Sequence, residues 1–327
     1  MIFMTGATGF IGKNFVEEFF AKDIPCKCLV RTGSVPAFEF FIAELETKYE
    51  KRNACIEIVE GSLLEPEFFK TSLCEAEAII HCASVVYAVS FEAFHMVNIV
   101  ATEVILNFVK EYEIRKFIYL SSAAVLFPQE GYYVASKRIA EERIAEQLAN
   151  TTVDYLILRP TLVTGPYDKK NIAQIIQIML HYRVALMVGR GKYEIQPLYV
   201  KDVVNVTMKF LRQNEPTRQA ITLAPDECMQ YRDFLLEIGN AIKRKTGKRT
   251  VILSIPFPLM RWGVRLISRI FRGSNITLET LERILNHTRI ENHEAKRLFG
   301  FTPTSLTSGL AQSIDFFVAR KKGIDPF

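Results

Sequence analysis

The stretch TGATGFIG at residues 5–12 carries three glycines spaced three apart, Gly6, Gly9 and Gly12. It ends an apolar run typical of a buried strand and opens an amphipathic segment, residues 9–22, typical of a helix. In such a strand–turn–helix, the first glycine permits the tight turn, the second lets backbone approach a pyrophosphate, and the third allows close helix–strand packing. The free N–H groups at the helix start would hold the phosphates. A purely structural turn is the alternative, but this position in the chain favours dinucleotide binding.

The alternation of strand and helix continues over about 160 residues. Nearly continuous apolar runs predict strands at 2–6, 26–31, 55–61, 76–84, 115–122 and 153–160. Helices are predicted at 9–22, from the second strand to about Glu50, at 91–112 and at 131–149. Strands that are apolar on both faces form parallel sheets covered by helices on both sides. The predicted fold class is therefore α/β, a doubly wound parallel sheet of the Rossmann type.

The pattern changes after Gly165 and Pro166, where helices begin to dominate. Helices are predicted near 169–183, 230–245, 258–271, 276–286 and 305–321, with short strands near 184–188, 198–200 and 220–223. We expect a dinucleotide-binding Rossmann domain over 1–165, to which about 195–225 returns. Most of 166–327 would form a smaller, α-rich substrate-binding domain.

The composition is that of a globular chain with no marked affinity for nucleic acid. The 327 residues are 49% hydrophobic, and 41 basic against 36 acidic residues give a net charge of +5 without any basic block. The six cysteines form no CxxC pair and no cysteine–histidine cluster, which predicts no metal site and reduced thiols in the cytoplasm. We see no signal peptide, and no apolar run of the ~18–20 residues that a membrane span needs.

The end of the second predicted strand bears on the choice of cofactor. An NAD-binding protein usually carries a carboxylate there for the adenosine ribose hydroxyls. This chain instead has VRTGS at 30–34, where Arg31 could pair with a 2′-phosphate and Thr32 and Ser34 could donate hydrogen bonds to it. The alternative is a solvated loop arginine. The residues favour NADP as the cofactor and leave NAD open.

The order of motifs along the chain resembles the extended short-chain dehydrogenase/reductases, the NAD-dependent epimerase/dehydratase family. The matching motifs are TGATGFIG at 5–12, HCAS at 81–84, VNIVAT at 97–102, YLSSAAV at 119–125, YVASK at 133–137, LRPTLVTGP at 158–166, PLYVKDVV at 197–204 and KRLFGFTPTSLTSGL at 296–310. The resemblance implies a cofactor site made of Gly6, Thr8, Gly9, Phe10, Ile11, Gly12, Arg31, Ser62, Leu63, His81, Ala83, Ser84, Tyr133, Lys137 and Pro160. It also implies structural roles for Asn98, which would brace the active-site strands, and for Asp202.

Three departures from the family pattern are visible. Ser62 stands where the family usually has an aspartate, and Leu126-Phe127 replace the Tyr-Gly of sugar-nucleotide epimerases. Ten residues separate Ser122 from Tyr133, whereas sugar-nucleotide enzymes of the family carry a much longer loop there. This short connection is more like that of reductase-type and atypical branches, including subunits of respiratory complex I that bind a dinucleotide without known turnover.

The residues that could carry chemistry are Ser122, Tyr133 and Lys137. A free tyrosine has a pKa of ~10, and a lysine one helical turn away favours the phenolate. Tyr133 has Lys137 four residues on, whereas Tyr132 has Ser136. Tyr133 is therefore the proposed proton donor and acceptor, and the resemblance adds that Lys137 holds the nicotinamide ribose. Ser122 would bind the substrate oxygen, and Ser121 is the alternative that fits the family pattern less well. An ordinary helix start is the alternative for the Tyr133–Lys137 pair.

The stretch RWGVRLISRIFR at 261–272 places four arginines in one arc of a predicted helix and apolar residues over the remainder. A surface helix packed on the substrate domain is the first interpretation. A helix at a membrane surface and a wall that binds a substrate phosphate are the alternatives.

We expect an oxidoreductase that transfers hydride to or from a carbonyl or secondary alcohol of a small, fairly apolar molecule. The alternatives are a sugar-nucleotide epimerase or dehydratase with bound NAD, and a dinucleotide-binding assembly subunit without turnover. The expected partners are a small-molecule substrate and no nucleic acid, with weak membrane-surface contact and a homodimer left open.

Overall fold

A computed structural model describes residues 1–128, 131–170, 172–256, 258 and 289–322. The strands are β1 (Ile2–Thr5), β2 (Cys26–Val30), β3 (Ile56–Glu60), β4 (Ala78–His81), β5 (Lys116–Leu120), β6 (Asp154–Pro160), β7 (Leu162–Thr164), β8 (Val184–Val188), β9 (Glu194–Ile195), β10 (Pro197–Tyr199), β11 (Gln219–Leu223), β12 (Met229–Gln230) and β13 (Val251–Ile255). The described helices are α1 (Phe10–Ala21), α2 (Val35–Tyr49), α3 (Phe91–Phe94), α4 (Ala101–Glu111), α5 (Tyr132–Leu148), α6 (Ile172–Tyr182), α7 (Val200–Arg212), α8 (Tyr231–Thr246), α9 (His293–Phe299) and α10 (Leu306–Lys322).

The central element is a seven-stranded sheet in the order β11-β6-β5-β4-β1-β2-β3. Every neighbouring pair in it is parallel. The carboxyl ends of all seven strands therefore lie at one edge, where the turns that follow them form a continuous row. The strand order reverses direction between β1 and β4, which is where ligands bind in sheets of this kind. The predicted doubly wound α/β fold is confirmed.

Apolar residues on both faces of the strands explain why this sheet lies inside the molecule. Phe3, Ile79, Phe117 and Ile157 come from four adjacent strands and all are buried in one cluster. Helix α4 packs on the same cluster through apolar residues at helical spacing, including Ile105, Leu106 and Val109. The sheet is thus rigid, and it fixes the positions of the turns at its carboxyl edge.

The chain divides into two compact units. The first comprises Met1–Pro160, Val203–Leu223 and His293–Phe301. The second comprises Thr161–Asp202, Ala224–Asn292 and Thr302–Phe327, and its described core is formed by α6, α8 and α10 with the small paired strands β8 and β13. The sequence pattern did not predict helix α7, nor the helix α9 in the segment His293–Phe301 of the first unit. The structure does not describe residues 259–288. The helices predicted at 258–271 and 276–286 therefore lie outside the described residues, apart from residue 258, and so does the arginine arc at 261–272.

One continuous helix runs through residues 91–111, and it contains a π-helical segment at His95–Val100 between α3 and α4. By length and composition it is the one described helix that could cross a membrane. Its buried residues pack against the sheet, and it carries the buried polar residues Asn98 and Thr102. These are features of a core helix of the first unit.

Candidate active site

The glycine turn brings three pieces of backbone into close contact. Gly6 has a φ of +74°, and a Cβ atom built on it would lie 2.5 Å from the backbone nitrogen of Ala83. A Cβ atom on Gly12 would lie 2.1 Å from the carbonyl oxygen of Gly6. Neither approach is sterically allowed, so any side chain at these positions would push α1 or β4 away from the turn. The predicted roles of Gly6 in the turn and of Gly12 in close packing agree with this geometry.

Gly9 leaves the start of α1 open. Its backbone is extended, with φ −76° and ψ 171°, and its N–H donates to the Gly6 carbonyl over 3.0 Å. In the described part of the chain no side chain caps the helix, and no acidic residue lies in its first turn. The first N–H groups of a helix have no acceptor within it and carry the positive end of its dipole. Together with the half-buried Thr8, Phe10 and Ile11, this cradle fits the pyrophosphate of a dinucleotide.

Arg31 lies directly after β2, at the same edge of the sheet. It is exposed, it precedes the short 3-10 turn Thr32–Ser34, and within the described part of the chain it forms no ion pair. After the neighbouring β3, the Ser62 hydroxyl accepts the N–H of Leu64 over 3.3 Å, and Leu63 packs against the core. The residues predicted from β2 and β3 thus lie at the carboxyl ends of adjacent strands.

His81 at the end of β4 forms part of a buried hydrogen-bond network. Its Nδ1 lies 2.7 Å from the Thr5 hydroxyl, and its Nε2 lies 3.0 Å from the Thr102 hydroxyl. The Thr102 hydroxyl donates to the Asn98 carbonyl over 2.8 Å, so its oxygen accepts a hydrogen bond from the Nε2–H group of His81. Nδ1 then accepts from Thr5, whose oxygen in turn accepts the Ala83 N–H over 3.3 Å. This network connects the glycine turn to the helix that carries Asn98.

The environment of His81 changes its predicted role. The side chain is 0% exposed, and burial, followed by the charge of Lys137, lowers its pKa to about 3. The imidazole is therefore neutral and lies in the core, with both nitrogens already bonded. That His81 lines the cofactor stays a prediction; because its side chain is in the core, such a contact would be made by its backbone. The next predicted residues, Ala83 and Ser84, are half-buried in the loop after β4.

Asn98 links this loop to α5. Its side-chain oxygen accepts from the Val85 N–H over 2.8 Å and from the Ser84 hydroxyl over 3.1 Å. Its amide nitrogen donates to the Val85 carbonyl and to the Ser136 hydroxyl, each over 2.9 Å. Ser136 in turn donates to the Tyr133 carbonyl over 2.8 Å. Asn98 thus connects the loop after β4 to the first turn of α5.

Lys137 points into the carboxyl end of β5. It is 1% exposed, and its Nζ donates to the Leu120 carbonyl over 2.8 Å and to the Tyr119 hydroxyl over 3.2 Å. Burial lowers its pKa to about 7, although nearby Cys82 and Glu141 act in the opposite direction. Lys137 therefore changes charge near neutral pH, which the sequence alone did not predict.

Tyr133 and Tyr132 occupy different environments in the first turn of α5. The Tyr132 ring is 55% exposed and packs against Phe91 at a centroid distance of 5.7 Å. Tyr133 is half-buried, 6.4 Å from the ring of Phe94. The pKa of Tyr119 is raised well above its usual value by burial and then by the charge of Tyr133, so the two phenols lie close together. Of the two adjacent tyrosines, Tyr133 is the one that shares the environment of Lys137.

The two serines after β5 also differ. The Ser121 hydroxyl is buried and donates to Glu141, whose carboxylate also accepts two hydrogen bonds of 3.0 Å from Arg159 Nε. Ser122 is half-buried, and its hydroxyl oxygen accepts the Ala124 N–H over 3.2 Å. The Ser122 hydroxyl hydrogen is thus available to a ligand, whereas that of Ser121 is used inside the protein.

Sequence reasoning did not predict four residues that hydrogen-bond to His81, Lys137 or Ser121 in the candidate site. They are Thr5, Thr102, Tyr119 and Glu141. Glu141 follows Lys137 by four residues, so helical spacing on α5 could have revealed it. The others meet their partners only through sheet pairing and helix packing, which no local pattern specifies. The remaining predicted residue, Pro160, is buried at the end of β6. Among the described residues, no group of three or more histidine, cysteine or acidic residues is placed to hold a metal ion.

A parallel sheet whose carboxyl edge joins an open glycine turn to a tyrosine–lysine pair defines a dinucleotide-binding enzyme of the Rossmann class. The sequence model of the NAD-dependent epimerase/dehydratase family matches residues 2–224. The chain belongs to this family, and the resemblance seen in its motifs is confirmed.

Known proteins similar to this chain have several activities. A 4-hydroxy-2-methyl-3-oxo-4-farnesyl-3,4-dihydroquinoline-1-oxide ketoreductase of Stigmatella aurantiaca is 25% identical over 295 residues, 83% of this chain and 80% of that protein. A decarboxylating sterol-4-alpha-carboxylate 3-dehydrogenase of Dictyostelium discoideum is 21% identical and covers 92% of this chain and 95% of its own. The crystal structure of UDP-glucuronic acid 4-epimerase from Bacillus cereus, in complex with UDP-glucuronic acid and NAD, matches with a TM-score of 0.74 at 18% identity. It covers 97% of this chain and 99% of its own, and it shows that the fold is shared.

Proposed function

We propose that this protein is an oxidoreductase that transfers hydride between a nicotinamide dinucleotide and a carbonyl or secondary alcohol. The observation that carries the proposal is Lys137, which is buried at the end of β5 and lies one helical turn from Tyr133. A buried lysine with a pKa of about 7, one helical turn from a tyrosine and at the same end of the sheet as the glycine turn, suits proton transfer at neutral pH. When bound, the dinucleotide would supply the hydride.

Each residue of the pair has a distinct proposed task. Tyr133 gives its hydroxyl proton to the carbonyl oxygen during reduction and takes it back during oxidation. Lys137, when protonated, stabilises the tyrosinate that remains and holds the nicotinamide ribose hydroxyls. Ser122 donates a hydrogen bond to the same carbonyl oxygen, because its hydroxyl hydrogen has no acceptor among the described residues.

Arg31 supports a preference for NADP. It is an exposed guanidinium at the end of β2, followed by the hydroxyl residues Thr32 and Ser34. The carboxylate that would accept the adenosine ribose hydroxyls of NAD is missing from this turn. A 2′-phosphate would gain a charge-assisted contact at this position.

Two of the compared relatives also support an oxidoreductase. One is named as a ketoreductase of a farnesyl-bearing dihydroquinoline oxide and the other as a dehydrogenase of a sterol carboxylate. Both names describe hydride chemistry on a largely apolar molecule. We also propose a reducing compartment such as the cytoplasm, because Cys26, Cys28 and the other four cysteines form no disulfide.

The test begins with the purified protein and its nucleotide content. Denaturation should release little NAD, and added NADPH should bind and exchange freely. The protein should then oxidise NADPH in the presence of ketones from a substrate panel. Tightly retained NAD together with interconversion of UDP-sugars would instead establish the epimerase alternative. Binding of NADPH with no turnover on either panel would support the assembly subunit and overturn the proposal.

A further inference from the structure

Two loops that are tied to α5, one through Asn98 and the other through Arg138, expose apolar side chains to solvent. The loop after β4 contributes Val86, Tyr87 and Val89, the turn after β5 contributes Leu126, and α5 contributes Tyr132. Between 38% and 90% of each of these side chains is exposed. Single exposed apolar residues are common, but a group of them beside a reactive residue marks a surface that binds something. We call these five residues the apolar rim.

Contacts on both sides fix the apolar rim relative to the proposed proton donor. Phe94 is buried and lies 6.4 Å, between ring centroids, from both Tyr132 and Tyr133. On the side of β4, Asn98 holds both the N–H and the carbonyl of Val85, the residue directly before the rim. The backbone there is thus anchored, and the exposed side chains extend from a rigid base.

The turn after β5 is anchored in a similar way. Arg138 of α5 donates to the Val125 carbonyl over 3.0 Å and also to the Phe127 carbonyl. The guanidinium is therefore occupied by backbone on either side of Leu126. Leu126 itself remains 46% exposed. Its apolar side chain is held at the surface by a turn that is fixed at both ends.

The chemistry of these two segments narrows the class of ligand. Residues 82–91 read CASVVYAVSF and residues 121–128 read SSAAVLFP, and neither segment contains a charged residue. A phosphate or carboxylate on a ligand would find no counter-charge on these side chains. An alkyl or prenyl chain would instead remove apolar surface from water on both partners.

We propose that the apolar rim is the subsite for a long hydrocarbon tail on the carbonyl substrate. This inference rests on the proposed function, because the rim is placed beside Tyr133 as the proton donor. It makes the substrate class more specific than a small apolar molecule, namely a ketone or secondary alcohol with an alkyl or isoprenoid chain. The reactive carbon lies at Tyr133 and Ser122, and the chain lies outward across Val89, Leu126 and Tyr132.

The test is a series of methyl ketones from 2-butanone to 2-undecanone, each kept below its solubility limit. With NADPH as reductant, kcat/KM should rise about twofold for each methylene that reaches the rim, because part of each added group is removed from water. In the double variant V89S/L126S the ratio of kcat/KM for 2-undecanone to that for 2-butanone should fall at least ~10-fold. The matched control is Phe40→Ser, which alters a side chain that is 60% exposed on α2, away from these loops. It should leave the ratio as in the wild type.

Failure of this inference can be told apart from failure of the proposed function. Reduction of short and long ketones with equal kcat/KM overturns the tail subsite and leaves the oxidoreductase intact. If no ketone is reduced, calorimetric binding of 2-undecanone and 2-butanone still tests the rim. Tighter binding of the long ketone that is weakened by V89S/L126S, and not by Phe40→Ser, supports the subsite. Equal binding of both ketones, or a loss that is the same in both variants, overturns it.

Discussion

The ammonium nitrogen of Lys137 donates a hydrogen bond to the hydroxyl oxygen of Tyr119 over a distance of 3.2 Å, inside the protein. Tyr119 lies in β5 and is 1% exposed, so this hydroxyl is an acceptor that water cannot readily replace. The contact stabilises the charged form of a lysine whose pKa burial has lowered to about 7. The charge state of the proposed active site thus depends on Tyr119, a strand residue that was not among the predicted site residues.

This relationship predicts a pH dependence of cofactor binding. Because the protonated lysine is the form proposed to hold the ribose, NADPH affinity should fall as pH rises through about 7. Tyr119→Phe removes an acceptor of the ammonium and should move the inflection roughly one pH unit lower. Equilibrium titrations with NADPH between pH 5.5 and pH 9 measure the pH at this inflection of the affinity. Lys137→Met is the control, and an unchanged inflection in that variant would rule out Lys137 as its origin.

The two adjacent tyrosines should differ strongly in turnover. Tyr133→Phe removes the proposed proton donor and should lower kcat ~100-fold or more, with NADPH binding retained. Tyr132→Phe keeps the ring that packs against Phe91 and should cost only a few-fold. Steady-state rates of ketone reduction compare the two variants. Near-normal turnover of Tyr133→Phe would falsify the proposed mechanism.

The two serines after β5 should separate stability from activity. Ser121→Ala removes a buried donor to Glu141 and should lower the free energy of unfolding by about 1–3 kcal/mol. Ser122→Ala removes a donor to the substrate oxygen and should lower kcat ~10- to 100-fold with little loss of stability. Urea unfolding and steady-state kinetics on both variants provide the measurement. If Ser121→Ala lowered kcat and Ser122→Ala lowered the free energy of unfolding instead, the proposed roles of the two serines would be wrong.

The choice of cofactor should depend on Arg31. Dissociation constants for NADPH and NADH should differ at least ~10-fold in the wild type, which corresponds to about 1.4 kcal/mol. Arg31→Ala should remove most of that difference by weakening NADPH alone, because only NADPH carries the 2′-phosphate. Arg52→Ala is the matched control. This arginine is 94% exposed and precedes β3, so it lies near the amino ends of the strands, whereas Arg31 follows the carboxyl end of β2. Equal affinities in the wild type contradict the NADP preference.

His81 should make the protein sensitive to acid. Its pKa is about 3 in the folded protein, whereas in the unfolded chain it returns to an ordinary value of about 6.5. Between these values the unfolded chain binds a proton that the folded protein does not, so stability falls as pH decreases through this window. From pH 6.5 to pH 4.5 the contribution is roughly 2–3 kcal/mol.

The variant His81→Phe tests this contribution. It should be less stable at neutral pH, because Thr5 and Thr102 lose their partner, but its stability should change less between pH 6.5 and pH 4.5. Urea denaturation at both pH values gives the difference. His181→Phe replaces an exposed histidine and should behave as the wild type does. If His81→Phe lost as much stability between pH 6.5 and pH 4.5 as the wild type does, groups other than His81 would cause the acid sensitivity.

Local sequence patterns were sufficient for the sheet and for the glycine turn. Apolar runs and helical periodicity predicted the six strands β1 to β6 to within two to three residues, because burial on both faces requires such runs. The amphipathic α7 was missed, since it follows the short β10 without a turn residue that would separate them. Spacing on α5 predicted the Tyr133–Lys137 pair.

Tertiary contacts account for the part that sequence reasoning did not reach. The buried Lys137, the interior imidazole of His81 and the internal bond of Ser121 each depend on a partner from a distant segment. Because local sequence does not show these partners, the side chain of His81 could not be assigned to the core from the sequence. A polar residue at a strand end faces either the ligand or the core, and only packing decides between them.

The π-helical segment His95–Val100 also determines where the chain tolerates changes in length. A π turn holds one residue more than an α turn, and here it comes between the helix start and the core-packed α4. Deletion of one residue there would leave an ordinary α turn, whereas insertion of a further residue would rotate one side of the helix by about 100° relative to the other. Either Asn98 or the apolar face at Ile105 would then lose its partners. Insertions in natural or laboratory variants should therefore be absent from this segment and accumulate in the connection between Ser122 and Tyr133, where added residues could change the surroundings of the proposed catalytic pair without moving it.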